Sequence, residues 1–412
     1  MNTEITEIYD VAIVGGGITG IGIFRDLSLH GLKAAIIDRG AFCEETSRNS
    51  SKMLHGGIRY LESMDFELVF EALREKNIWL KLLPHQTAHA KFHIPIYENS
   101  PHNFVMTAIG TFLYGMLASG SDPLYLPISA KSTLELFPEL KRDGLKGTAR
   151  YQDAYMDDYA IGIMSLKQAL IDRPENIALK NHDVVQMEEN WKDNQKYFTL
   201  HLNPKNNGGE KKQLCAKHVI FSTGPFTDSL MKQLNIPWRP CLRPSRGSHL
   251  WLKRSIMHLP HPMVMQDKSG RVIFLMPRED KILLGTTEIP VSAYALDENK
   301  FISQAEEDYL LEYLRFYFPK LNIKNEDIVG RYSGIRPLVV QLNEDQDVDT
   351  SKDTGKVSRH HKVFEPLENL FVILGGKYTT FRTMGQEITK TICARENRPY
   401  STSKSLSSFT LS

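Results

Sequence analysis

The chain has 412 residues, is 41% hydrophobic and 24% charged, and carries 50 Lys+Arg against 49 Asp+Glu, a formal net charge of +1. At roughly 150 residues per domain it has room for two or three domains, which excludes intrinsic disorder and a disulfide-stapled miniprotein. The balanced charge leaves no basic excess for nucleic-acid binding, so any affinity for anions must be local.

Residues 1–9 are polar, with no apolar signal-peptide core. Residues 9–14 (YDVAIV) read as a strand buried on both faces, followed by a glycine turn and an amphipathic helix to about His30, closed by Gly31. A second apolar strand at 33–37 ends at Asp38 and completes a βαβ opening. Next come a polar stretch, 44–52, and the sequence HGGIRY. Residues 66–83 read as a helix with Phe66, Val69, Phe70, Leu73 and Leu80 on one face and Lys76 and Lys81 on a solvated one.

Residues 104–118 (FVMTAIGTFLYGMLA) carry no charge. They fall short of the roughly 20 residues a membrane span needs, and burial in a core is the expectation. Strands are expected at 198–202, 217–221, 272–276, 282–284 and 370–374, and a helix at 308–317 stopped by Pro319. Residues 203–212 read as a hairpin loop, 344–356 as a solvent loop, and the Ser/Thr-rich last dozen as a loose tail. Cys43, Cys215, Cys241 and Cys393 are scattered without a CxxC pair, which points to a reducing cytoplasm and to neither a disulfide framework nor a metal site.

Gly15-Gly16-Gly17-Ile18-Thr19-Gly20 fits G-x-G-x-x-G between a strand and a helix. Gly15 permits the tight turn, Gly17 lets backbone approach a pyrophosphate, and Gly20 lets helix and strand pack closely. The helix start at Ile18 and Thr19 offers N–H groups to phosphates. Asp38, about 20 residues on, is placed to accept from a ribose, with Arg39 beside it. The fingerprint marks a dinucleotide site and does not separate NAD from FAD.

The stretch 46–62, TSRNSSKMLHGGIRYLE, closely resembles the FAD-dependent glycerol-3-phosphate dehydrogenases, whose pattern is TSSxSSKLIHGGLRYLE. YQDAYMDD (151–158), STGPFTD (222–228), RGSH (246–249), GTT (285–287), YSGIRPL (332–338) and GGKYTTFR (375–382) follow in the family's order. The likeness runs from about 9 to 390 and ends where bacterial members continue into a C-terminal helical domain. Two motifs depart: the family's GGKLTTYR reads GGKYTTFR, and its SRDY reads Ser358-Arg359-His360-His361.

The resemblance implies an α/β fold: a glutathione-reductase-like, discontinuous FAD-binding Rossmann domain with an inserted α+β antiparallel-sheet substrate domain. The expected division is 1–78, 146–227 and 355–395 for FAD, 79–145 and 228–354 for substrate, and 396–412 as tail. The implied cofactor is FAD, and the implied reaction is oxidation of sn-glycerol 3-phosphate to dihydroxyacetone phosphate by hydride transfer from C2. Electrons would pass to a quinone, with the enzyme cytoplasmic or peripheral on the inner face of the cell membrane. Residues 104–118 and the neighbouring helix are then candidates for the membrane side. A homodimer is compatible with the sequence and not read from it.

A dianionic phosphate calls for a cationic cradle, and Arg59 with Tyr60, Arg336 and Lys377 sit in turns that place side chains at a pocket rim. His249 and His55 are the candidate proton acceptors, His249 favoured for substrate contact and His55 for the flavin side; Arg336 is a further candidate for polarising the hydroxyl, which leaves the acceptor open, and with Lys377 it completes the expected catalytic set. Thr46, Ser47, Ser50 and Ser51 offer hydroxyls to the cofactor, and Thr223, Gly224, Gly376, Lys377 and Thr379 match the family's other flavin segments. The rivals are a glycerol-3-phosphate oxidase producing hydrogen peroxide, a flavoprotein acting on an amino or hydroxy acid, and a flavin-binding protein without catalysis.

Overall fold

The strand Ile8–Val14 is buried almost throughout, and its alternate residues face two separate cores. A computed structural model describes residues 7–62, 64–118, 120–205, 209–340 and 360–410, so the expected loop at 344–356 and the Ser358-Arg359 pair lie outside the described residues. Ile8–Val14 pairs in parallel with Ala34–Ile37 and with Lys212–Phe221, Val14 standing opposite both Ile37 and Phe221. Ile177–Leu179 extends this sheet at one end; Leu370–Gly375 and His361–Leu367 extend it at the other. The antiparallel ribbon of His182–Lys192 and Gln195–Pro204 branches from Lys212–Phe221.

Val11 and Ile13 pack under the helices Ile18–Leu29, Asp158–Asp172 and Phe381–Arg395; Ala12 and Val14 pack under the ribbon. The first strand is therefore the switch point of the sheet, and its carboxyl end, with those of its two neighbours, is where a ligand crevice belongs.

Among the described residues the second sheet has ten strands and is mostly antiparallel. Its central ladders join Thr87–Tyr97 to Leu145–Met156 and Ser245–Lys253 to Ile328–Arg336. The discontinuous α/β architecture with an inserted sheet is thus present, with its joints displaced. Leu145–Met156, expected beyond residue 146 in the nucleotide domain, pairs along its length with Thr87–Tyr97, and Met53–Leu54 pairs with it too. Twelve residues of strand alternation serve this longer ladder better than the short parallel sheet.

Three local expectations change. Phe104–Leu117 is a helix, and burial reaches only Thr111, Tyr114 and Gly115. Val105, Met106, Ile109, Phe112, Leu113 and Met116 are 38–64% exposed, so the core placement does not hold. An uncharged helix has no polar stripe to mark its outer face, which is why periodicity misjudges it. Among the described residues no helix is long and apolar enough to cross a membrane.

Phe66–Leu82 is helical as expected, but rotated: Phe66 and Phe70 are exposed and Lys76 is wholly buried. Lastly, the Ser/Thr-rich end is docked. Arg25 donates to the carbonyls of Ser405 and Ser407 at 3.2 and 2.7 Å and lies over the Phe409 ring, while Tyr400 stacks on His30. The buried Arg25, Asp26 and His30 of the first helix need polar partners, and this segment brings them.

Candidate active site

The turn after the first strand is shaped by contacts only glycine tolerates. Gly15 has φ +108°, and a Cβ on Gly20 would stand 2.0 Å from the Gly15 carbonyl oxygen. Gly20 therefore packs helix against turn and is absent from the cavity wall; Gly15, Gly17, Ile18 and Thr19 line it. Gly17 caps the helix with no side-chain bond of its own, and the Ile18 N–H donates to Ser47 Oγ at 2.9 Å. Asp38 accepts from the Gly16 and Gly40 N–H groups at 2.6 and 2.7 Å, bracing the turn, and burial raises its carboxyl above the usual range.

From this turn one cavity of about 610 Å³ extends to the second sheet. Its nucleotide end includes Asp38, Arg39, Val184, Thr223 and Gly224; the Arg39 guanidinium lies 3.7 Å over the Phe226 ring. Its far end gathers Ser51, His55, Arg59, Tyr60, His249, Arg336, Gly376, Lys377 and Thr379. Of the sequence-derived site residues, Gly20 alone falls outside this wall. A volume within the roughly 300–1,000 Å³ of small-molecule sites, a helix start at one end and cations at the other suit an elongated dinucleotide. A Cβ on Gly224 would meet nothing within 4 Å, so the wall is open there too.

The hydroxyls are largely committed to the protein. Thr46 donates to the Ile335 carbonyl at 2.6 Å, and Ser50 to Asp158 Oδ2 at 2.6 Å. Thr379 Oγ1 receives the His55 N–H at 3.3 Å. These residues fix the loops that border the cavity.

The cations come from three directions. Gly57, at φ +78°, turns the chain so that Arg59 donates to Tyr60 Oη at 3.0 Å, and Lys377 Nζ lies 4.1 Å from the centre of the Tyr60 ring. Arg336 ends the strand Ile328–Arg336, donates to Thr286 Oγ1 at 2.8 Å, and lies so close to Gly247 that a Cβ there would be 2.2 Å from Nη2. His249 is fixed by register: it stands opposite Tyr332, stacks on that ring at 4.7 Å, and shares Nε2 with Ser51 Oγ at 2.9 Å.

Burial, then Arg336 and Lys52, hold the His249 imidazole well below its usual range. It is therefore neutral and able to accept a proton at pH 7. Because the folded value lies below the unfolded one, stability is undiminished above about pH 6.5 and falls as pH drops further, where the unfolded chain takes up the proton that the buried ring excludes. The profile of log kcat/KM is accordingly expected to show no His249 limb near pH 6.5; an acid limb there that disappears in His249→Asn would contradict this environment.

Glu306 escaped the sequence reading. It is buried and accepts from Ser248 Oγ, Thr287 Oγ1 and Arg246 Nη2, each at 2.7 Å, behind the strands that carry His249 and Arg336. Its one local signal is the capping box with Ser303 at the start of Gln304–Tyr317, which explains a helix end and not a site.

A sequence model of the FAD dependent oxidoreductase family matches residues 10–389. The aerobic glycerol-3-phosphate dehydrogenase of Staphylococcus epidermidis is 32% identical over 97% of this chain and 69% of its own length; that of Staphylococcus aureus is 30% identical over 95% and 68%. In fold, the chain is similar to the glycerol-3-phosphate dehydrogenase of Bacillus halodurans complexed with FAD, with a TM-score of 0.73, 23% identity, and 96% and 67% of the two chains covered. It is also similar to the L-alpha-glycerophosphate oxidase of Mycoplasma pneumoniae with FAD bound, at 0.70, 17%, 94% and 95%. With a dinucleotide turn, a cavity of the right extent and these relatives, the chain belongs to the FAD dependent oxidoreductases, in the group of the aerobic glycerol-3-phosphate dehydrogenases, and FAD is its cofactor.

Proposed function

We propose that the chain oxidises sn-glycerol 3-phosphate to dihydroxyacetone phosphate and passes the electrons to a membrane quinone. The observation that carries this reading is the meeting of Arg59, Arg336 and Lys377 with a neutral histidine at the far end of the dinucleotide cavity. Three cations are more than a carboxylate substrate requires and suit a phosphate dianion. Gly15, Gly17, Ile18, Thr19, Asp38 and Thr223–Gly224 would hold the nucleotide part of FAD, and Gly376, Lys377 and Thr379 its ring end. When bound, FAD supplies the acceptor for the hydride from C2.

The chain's own residues supply the rest. Arg336 and Arg59 bind the phosphate, Tyr60 holds the Arg59 fork, and Lys377 stabilises negative charge at the ring end. His249 takes the hydroxyl proton at Nε2, the atom now bonded to Ser51 Oγ, as the C2–H electron pair departs. Stacking on Tyr332 and burial keep that imidazole in one orientation and away from water.

The decisive experiment is anaerobic addition of glycerol 3-phosphate to the yellow holoprotein. Bleaching of the flavin bands by this substrate, and not by lactate or glycine, is the expected result; no bleaching removes the reading. An oxidase is the second reading, since the same half-reaction serves both. Quinone reduction against oxygen consumption separates them. The exposed apolar face of Phe104–Leu117 supports a membrane acceptor. Leu113→Asp is expected to release the protein from phospholipid vesicles while leaving thermal unfolding and the anaerobic half-reaction unchanged; unchanged vesicle binding counts against the membrane placement.

A further inference from the structure

The turn that aims the cations is held from behind by a buried polar cluster that the reaction itself does not use. Tyr114 lies on the inner side of Phe104–Leu117, fully buried, with its ring edge-on to Tyr151 at 5.4 Å. Its hydroxyl donates to Asp153 Oδ1 at 2.7 Å and accepts the Gly56 N–H at 2.8 Å. Asp153 Oδ1 also lies 3.3 Å from Gly56 N and 3.9 Å from Lys76 Nζ, and Lys76 is bonded to Asp122. Lys76, Asp122 and Asp153 are all buried, so one ammonium and two carboxyl groups share an apolar interior, where burial pushes the Asp153 carboxyl up to about 7.

Gly56 is the point where this cluster touches the site. A Cβ there would fall 2.5 Å from Tyr114 Oη and 2.6 Å from Leu73 Cγ, so the backbone approaches as only glycine allows. The next residue, Gly57, takes the left-handed conformation that sets Tyr60; a Cβ on it would lie 2.5 Å from the Tyr60 ring and 3.3 Å from Lys377 Nζ. A shift of the Gly56 amide therefore moves the Arg59–Tyr60 fork relative to Lys377.

We propose that Tyr114 and Asp153 are positioning residues: their hydrogen bonds to the Gly56 amide set the Gly56–Gly57 turn and through it the aim of Arg59, Tyr60 and Lys377 at the substrate phosphate. The inference rests on the proposed phosphate substrate. It makes Phe104–Leu117 a two-sided element, apolar outward and hydrogen-bonded inward to the site.

Tyr114→Phe keeps the ring and removes only the hydroxyl. In the holoenzyme we expect KM for glycerol 3-phosphate to rise about tenfold with kcat within about twofold. Inorganic phosphate, followed by its perturbation of the flavin spectrum, is expected to bind correspondingly more weakly. Flavin content and thermal unfolding stay near wild type. Asp153→Asn, which keeps an acceptor, is expected to shift the same two quantities less.

Unchanged KM and phosphate affinity in Tyr114→Phe overturn the proposal. So does a parallel fall of kcat, flavin content and thermal stability, which marks a purely structural pillar. If wild type fails to bleach with glycerol 3-phosphate, the functional reading fails by itself. The phosphate titration still decides for or against Tyr114, with absence of phosphate binding by wild type also overturning its positioning role.

Discussion

Arg336→Ala is expected to lower kcat/KM for glycerol 3-phosphate by about 10³-fold, the scale of losing one partner from a desolvated, hydrogen-bonded charge pair. The guanidinium is built into the wall: it crosses the backbone at Gly247, where a Cβ would lie 2.2 Å from Nη2, and bonds to Thr286 Oγ1 at 2.8 Å. Thr287 is in turn held by Glu306, so the arginine's position is fixed before substrate arrives. Arg336→Lys is expected to recover little, because a single ammonium cannot both bond Thr286 and present a planar fork to phosphate.

The control is glycerol, which lacks the phosphate. If Arg336 binds phosphate, the variant loses little of its residual rate with glycerol and most of its rate with glycerol 3-phosphate. Equal losses with both would assign Arg336 to the reacting hydroxyl. No loss with either would remove it from the site. Single-turnover bleaching of the anaerobic holoprotein measures each case without involving the acceptor.

The parts of this site that the sequence reveals are those whose chemistry is local. Gly15, Gly17 and Asp38 are legible because a dinucleotide turn needs strand, glycines, helix and acid in a fixed order. Arg59, Arg336 and Lys377 are legible because they stand in motifs that resemble a family. Glu306 is illegible because its task is set by Ser248, in the strand Ser245–Lys253, and by Thr287, in the turn after Lys281–Gly285. The docked C-terminal segment is hidden for the same reason: Ser405 meets Arg25 across 380 residues, and composition alone makes it look like a tail. Phe104–Leu117 shows the reverse case, an apolar segment whose exposure depends on what covers it in three dimensions and not on the residues themselves.

Arg382 shows how a motif can be read correctly and its residue still do other work. It closes GGKYTTFR, yet its guanidinium turns from the cavity to a bidentate pair with Glu75, Nε to Oε2 at 2.8 Å and Nη2 to Oε1. Glu75 is 1% and Arg382 6% exposed, and the pair ties Phe66–Leu82 to Phe381–Arg395. Burial raises the Glu75 carboxyl, and the Arg382 guanidinium pulls against that shift.

Breaking such a pair leaves one uncompensated buried charge, which costs roughly 3–5 kcal/mol. Arg382→Met and Glu75→Gln are each expected to lose about that much stability in urea unfolding of the holoprotein. The double variant Glu75→Gln/Arg382→Met is expected to lose clearly less than the sum, because no charge then remains buried alone. KM for glycerol 3-phosphate should stay near wild type in all three, since neither side chain lines the cavity. Single losses below about 1 kcal/mol, or additive ones, would mean that water reaches the pair and that the two helices are held by apolar packing, above all by the Trp79 ring stacked on Phe381 at 4.5 Å.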